Sequence, residues 1–143
     1  MKPNVNLINA SAGTGKTFAV TQNILKEILS SSDSDHFKKI LALTFTNKAA
    51  NEMKERVLTS LKDFSNYDLH IGSEALFKSL SKELNLTTNE IVKKSKVLLE
   101  KILHDFSFFN IETIDSFNHS LIRSFARDIN LSSDFEVITD FDD

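Results

Sequence analysis

Apolar residues recur along this chain in two rhythms, and the changes between them mark its elements. Val5, Leu7 and Ile8 lie in a short apolar stretch over residues 4–9 that reads as a buried strand. From Thr17 to Leu29 the spacing becomes helical, with Val20, Ile24 and Ile28 on one face and Leu25 and Leu29 beside it. Residues 30–35 form a polar serine- and aspartate-rich loop. Ile40 to Thr46 is then almost continuously apolar, the pattern of a strand covered on both faces and hence of a parallel sheet. A second helix follows, with Ala50, Met53, Val57 and Leu61 inward and Asn47 as its cap. Phe64 to Gly72 reads as an irregular connection, and Ser73 to Leu84 as a helix with Phe77, Leu80 and Leu84 inside. Thr87-Thr88-Asn89-Glu90 has the spacing of a capping box; its helix runs to about Leu103 with Ile91, Leu98 and Ile102 on one side. Phe108 to Ile114 returns to strand character. Asp115 or Ser116 would cap a further helix whose apolar face is Phe117, Leu121, Phe125 and Ile129, and residues 135–138 read as a last short strand. Strand and helix alternating in this way predict an α/β fold with right-handed crossovers and a helical insertion in the middle.

Composition narrows the chemistry. The 143 residues suffice for one domain or part of one, and 41% hydrophobic content with 12 phenylalanines can fill a core. Without cysteine there is neither a disulfide nor a thiolate metal site. The four histidines show no zinc-ligand spacing. No apolar run is long enough for a membrane span and no signal peptide is seen, so the expected location is the cytoplasm. The net charge of −3 means that any nucleic-acid contact would be a local patch. Lys93, Lys94, Lys96 and Lys101 form a basic run on one predicted helix, read first as a solvated face and second as a DNA contact.

The strongest motif joins the first strand to the first helix. Ala10-Ser11-Ala12-Gly13-Thr14-Gly15-Lys16-Thr17 is a P-loop in its looser form, with alanine at the first position. Gly13 and Gly15, two of only three glycines in the chain, allow the tight turn. The loop amides and the positive end of the helix would cradle phosphates. Lys16 would lie against the β/γ-phosphates and the Thr17 hydroxyl would bind Mg²⁺. This predicts ATP and Mg²⁺ as ligands.

Three stretches in order carry a resemblance: ASAGTGKT at 10–17, LTFTNKAANEM at 43–53, and TIDSF at 113–117 followed by LIRSFAR. Together they resemble the opening of the UvrD/Rep group of superfamily 1 DNA helicases, and within it the RecB/AddA-like helicase–nuclease subunits. The resemblance implies a RecA-like P-loop NTPase lobe, incomplete here, and an ATP-driven helicase acting on single-stranded DNA in recombination and double-strand break repair. An AddB/RecC-like partner subunit is implied as well. By position, Lys16 and Thr17 become catalytic. Thr44, Phe45, Thr46 and Asn47 match one DNA-contacting motif, and Thr113, Ser116 and Phe117 another. An exposed Phe45 could stack on a base, while Thr46 and Asn47 could reach phosphates; core packing is the other reading of Phe45. Residues 1–64 would then be the P-loop part of the lobe, 65–105 a helical insertion beginning an accessory subdomain, and 106–143 the return to the lobe.

Departures from the family pattern set limits. Asp115 stands where many relatives have histidine, and a carboxylate beside phosphate is unfavourable, which suits a cap better than a DNA ligand. The adenine-reading glutamine of UvrD-type chains has no counterpart ahead of Ala10. The carboxylate pair that hydrolysis requires is not found either; Asp140 is its nearest imitation, and Thr139 interrupts the apolar run before it. The expectation is an N-terminal piece of a larger motor, inactive alone. Two rivals make other demands. A self-standing switch or small kinase needs a metal-binding acid within the chain, Asp115 or Asp140. A non-enzymatic DNA-binding module would use the lysine-rich helix and the Arg123/Arg127 face.

Overall fold

The computed structural model describes residues 16–126, with side chains from Phe18 onward. The expected strands at 4–9 and 135–138, the P-loop residues 10–15, Arg127, Ile129 and Asp140 lie outside the described residues. The elements are α1 (Lys16–Ser30), β1 (Leu41–Thr44), α2 (Asn47–Asn66), α3 (Ile71–Leu84), α4 (Thr88–His104), β2 (Asn110–Thr113) and α5 (Ile114–Phe125). Short 3₁₀ turns, His36–Lys39 and Phe106–Phe108, lead into the two strands.

The strands pair in parallel, in the register Leu41–Asn110, Ala42–Ile111, Leu43–Glu112 and Thr44–Thr113. Three helices fill the crossover between them. The strands are shorter than expected. Phe108 belongs to a 3₁₀ turn and Ile114 opens α5, so only four residues of each run are extended. Nor is β1 covered on both faces: Leu41 and Leu43 are exposed, while Ala42 packs against the core.

α2 shows how closely the pattern dictates the element. Ala50, Met53, Val57, Leu61 and Phe64 are all buried along its 20 residues. The helix therefore continues through the expected irregular connection as far as Asn66. It ends because Tyr67 turns into the left-handed region at φ 53, its N–H returning to the carbonyls of Asp63 and Phe64. The Tyr67 ring packs edge-on against Phe77, 5.7 Å away, which favours that backbone conformation. α3 starts at Ile71, two residues earlier than expected, with Phe77 and Leu80 buried. α4 opens on the expected capping box. The Thr87 hydroxyl accepts from the Glu90 N–H at 3.3 Å, and the Glu90 carboxylate accepts from the Thr87 N–H at 2.7 Å.

One hydrophobic core joins all these pieces. It contains Ile24, Leu25, Ile28 and Leu29 of α1, Val57 and Leu61 of α2, Phe77 and Leu80 of α3, Ile91, Leu98 and Ile102 of α4, and Ile111 of β2. The helices of residues 65–105 thus share a core with α1 and α2, and α2 itself runs across the 64/65 boundary. Burying each such aliphatic side chain contributes about 1.5–3 kcal/mol. The outlying element is α5. Phe117 is half-buried, and Leu121, Ile122 and Phe125 are exposed, so the expected apolar face is not covered within the described residues.

Candidate nucleotide and nucleic-acid site

Lys16 and Thr17 are the first two residues of α1, the position a P-loop lysine and threonine must occupy. The first turn of α1 carries no acidic residue. Its unpaired N–H groups and positive dipole end therefore suit an anion. The rest of the phosphate loop, Ala10, Ser11, Ala12, Gly13, Thr14 and Gly15, lies outside the described residues.

The second site is described on every side. Because Thr44 and Thr113 are partners in the parallel register, both strands deliver the chain to the same edge of the sheet. Thr44, Phe45, Thr46 and Asn47 leave β1 there. Thr113, Ser116 and Phe117 leave β2 beside them. Stretches of sequence 66 residues apart are thus brought together by four rungs of strand pairing. Phe45 is 86% exposed, which answers the core-packing reading of this residue: the ring faces solvent. Asn47 and Ser116 are exposed as well.

Both helices that leave this edge are capped by threonines, not by the residues the sequence suggested. Thr46, rather than Asn47, caps α2, its hydroxyl accepting from the Ala49 N–H at 3.2 Å. Thr113, rather than Asp115 or Ser116, caps α5. Its hydroxyl accepts from the Ser116 N–H at 3.1 Å and donates to the Ser116 hydroxyl at 2.8 Å. Each threonine is extended, at ψ 144 and ψ 156, as an N-cap requires. The pattern T-x-x-A in one case and T-x-x-S in the other lacks the glutamate that completes a capping box, so the local cue was weak. Thr113 is only 6% exposed, and its hydroxyl is occupied by these two bonds. It shapes the edge while Ser116 faces outward. Asp115 sits exposed in the first turn of α5, where a negative charge complements the helix dipole.

The site is an open ledge rather than a hollow. A cavity of about 480 Å³ lies elsewhere, lined by α1, α2 and α3 residues including Phe18, Thr21, Arg56 and Asp63. Arg56 thus belongs to that hollow, and Lys48 is exposed near the start of α2. No group of three or more His, Cys, Asp or Glu side chains able to hold a metal occurs among the described residues.

The basic run on α4 divides in two. Lys93 and Lys96 are exposed, as a solvated face requires. Lys94 turns inward, its Nζ donating to the carbonyls of Leu29 at 2.7 Å and Ser31 at 3.0 Å. Lys101 donates to Asp35 Oδ2 at 2.7 Å. Asp35 also pairs with Lys38 at 3.0 Å, and Lys38 with Asp105 at 2.7 Å. Hydrogen bonds from Lys101 and then Lys38 hold the Asp35 carboxyl below the usual carboxylate range, and Lys38 does the same to Asp105.

A parallel strand pair whose carboxyl ends open into two capped helix N-termini defines an α/β domain that receives its ligands at the strand ends. The chain belongs to the UvrD/REP helicase N-terminal domain family, whose pattern matches residues 2–143. Among curated proteins it is similar to the AddA-type ATP-dependent helicase/nuclease protein of Clostridium kluyveri, 35% identical over 139 residues. That alignment covers 96% of this chain and 9% of the relative. A protein of the same name from Lactobacillus acidophilus is 32% identical over 136 residues, 94% of this chain and 9% of that one. The Streptococcus mutans counterpart is 29% identical over 134 residues, again 94% and 9%. The chain thus spans about a tenth of the length of these relatives. No solved structure matches it significantly. Among the described residues, no helix is long and apolar enough to cross a membrane.

Proposed function

We propose that this chain is the N-terminal ATP-binding segment of a longer, AddA-like ATP-dependent DNA helicase that moves along single-stranded DNA during recombination and double-strand break repair. In this reading it belongs to a RecA-like P-loop lobe and works in the cytoplasm beside an AddB/RecC-like partner subunit. The observation that carries the reading is the register of β1 and β2. It gathers Thr44–Asn47 and Thr113–Phe117 on one ledge with Phe45 exposed, while Lys16 and Thr17 open a helix whose first turn is free of acid.

The chemistry divides between the two places. ATP with Mg²⁺ supplies the phosphoryl bond whose cleavage drives movement. At the start of α1, Lys16 holds negative charge on the phosphates, the Thr17 hydroxyl offers a metal ligand, and the amides of residues 10–15 wrap the phosphate chain. At the strand ends, Phe45 stacks on a base. The Thr46 and Asn47 region and Ser116 donate hydrogen bonds to phosphate oxygens, near the positive ends of α2 and α5. Thr113 supports Ser116 from beneath. The acid that orients the attacking water belongs to the longer protein, so this segment alone binds nucleotide without turning it over.

The test is ATP hydrolysis by the full-length protein with and without single-stranded DNA, beside its Lys16→Ala variant. DNA-stimulated turnover is expected in the parent and none in the variant, because Lys16 stabilises the charge that develops on the transferred phosphate. Turnover that survives the substitution would remove the P-loop assignment.

A further inference from the structure

The inward-turned lysines of α4 are unused by the ATP and DNA chemistry just described, yet they make some of the longest-range polar contacts in the molecule. Lys94 and Lys101 are seven residues apart, two helical turns and roughly 10 Å along one face of α4. Both reach the same target, the connection of residues 31–40 that joins the end of α1 to the start of β1. Lys94 holds its first part through the carbonyls of Leu29 and Ser31, 65 and 63 residues away in sequence. Those carbonyls stand at the C-terminal end of α1, where the helix leaves them unpaired and where a cation is favoured. Lys101 holds its middle through Asp35. Asp35 in turn binds Lys38, which closes back on Asp105 at the end of α4. Beneath this network Phe37 is 1% exposed and meets Phe109 edge-on at 6.4 Å, so the connection is pinned on its apolar side too.

What this connection joins gives the contacts their meaning. One end is the helix that begins with Lys16 and Thr17. The other is the strand that ends at Thr44 and Phe45. We propose that Lys94 and Lys101 are positioning residues that lock the α1–β1 connection to α4, so that a displacement of the nucleotide-binding helix is passed to the DNA-binding ledge instead of being absorbed in the loop between them. The proposal rests on the ATP and DNA assignments above. Neither lysine touches either ligand; each acts through the backbone it holds.

A chain without the lock keeps both sites but loses their communication. In the full-length protein, the affinity for an oligo-dT strand is measured without nucleotide and with a non-hydrolysable ATP analogue; the ratio of the two affinities is the coupling. The Lys94→Met/Lys101→Met double variant is expected to bind the analogue alone and the oligonucleotide alone within about twofold of the parent. Its coupling ratio should fall at least threefold toward one. Lys94→Arg/Lys101→Arg retains a cation able to reach carbonyl and carboxylate oxygens, and should restore most of the ratio. An unchanged ratio in the Met variant would overturn the lock. So would a parallel loss of both separate affinities together with a lowered melting temperature, which would mark the lysines as general supports. If the parent itself binds neither ligand, the functional assignment falls and the lock falls with it. A parent that couples beside a Met variant that couples equally removes the lock alone.

Discussion

Phe45 shows how a single side chain can argue for function. An aromatic ring 86% exposed at the end of a strand contributes little to the core, so its presence is explained by what it can touch. Phe45→Ala should weaken single-strand binding by about 1–3 kcal/mol, the range for base–aromatic stacking. The melting temperature should stay nearly constant, because no buried surface is lost. Fluorescence titration of a labelled oligonucleotide against parent and variant measures the first, and a thermal melt the second; unchanged affinity would move the stacking role away from this ring. Asp35 illustrates a residue whose position only its partners explain. Its carboxyl is held below the usual range by Lys101 and Lys38, so the charged form is favoured in the folded chain. Folding therefore gains from this group above roughly pH 4, where an unfolded aspartate is already ionised. The gain disappears as the pH falls through the lowered native value.

At the scale of elements, the helices are the best-specified parts because their signals are local. α4 is the clearest: a reciprocal capping box at Thr87 and Glu90, then buried Ile91, Leu98 and Ile102 at helical spacing. Thr87→Ala removes the hydroxyl that satisfies the Glu90 N–H, and should cost about 1 kcal/mol of stability, within the 0.5–2 range for such caps. A denaturant midpoint that does not move would show that the first turn of α4 frays without cost. The strands were less legible. Ile40–Thr46 and Phe108–Ile114 are apolar enough to suggest long strands, but only four residues of each are extended. Their ends are set by the capping threonines Thr46 and Thr113, which turn the chain into helix at once. Asn47, Asp115 and Ser116 were reasonable cap candidates by residue type. Which residue caps depends on where the strand stops, and strand length is fixed by pairing with a partner far away in sequence.

Across the whole molecule, the helices between residues 65 and 105 are part of the main core. Leu80, Ile91, Leu98 and Ile102 are buried against α1 and α2 in a single cluster. Deleting residues 71–104 with a short linker would leave Met53, Val57, Leu61 and Phe64 facing water. The deletion variant is expected to lose the cooperative melt of the parent, followed by circular dichroism, and to aggregate. A deletion variant that still melted sharply would mean that α1, α2 and the sheet form a core without these helices.

The sequence by itself determined the order and type of the elements, the P-loop at 10–17, and the family, because periodicity, capping patterns and contiguous motifs are properties of neighbouring residues. It also marked Phe45 and Ser116 as residues to examine. Tertiary structure alone decided that Thr44 and Thr113 stand side by side, that Phe45 faces solvent, and that Lys94 and Lys101 turn inward while Lys93 and Lys96 do not. The physical reason is distance along the chain. A lysine's partner more than 60 residues away leaves no trace in the spacing around that lysine. It is chosen when burial of the shared core brings α4 against the end of α1.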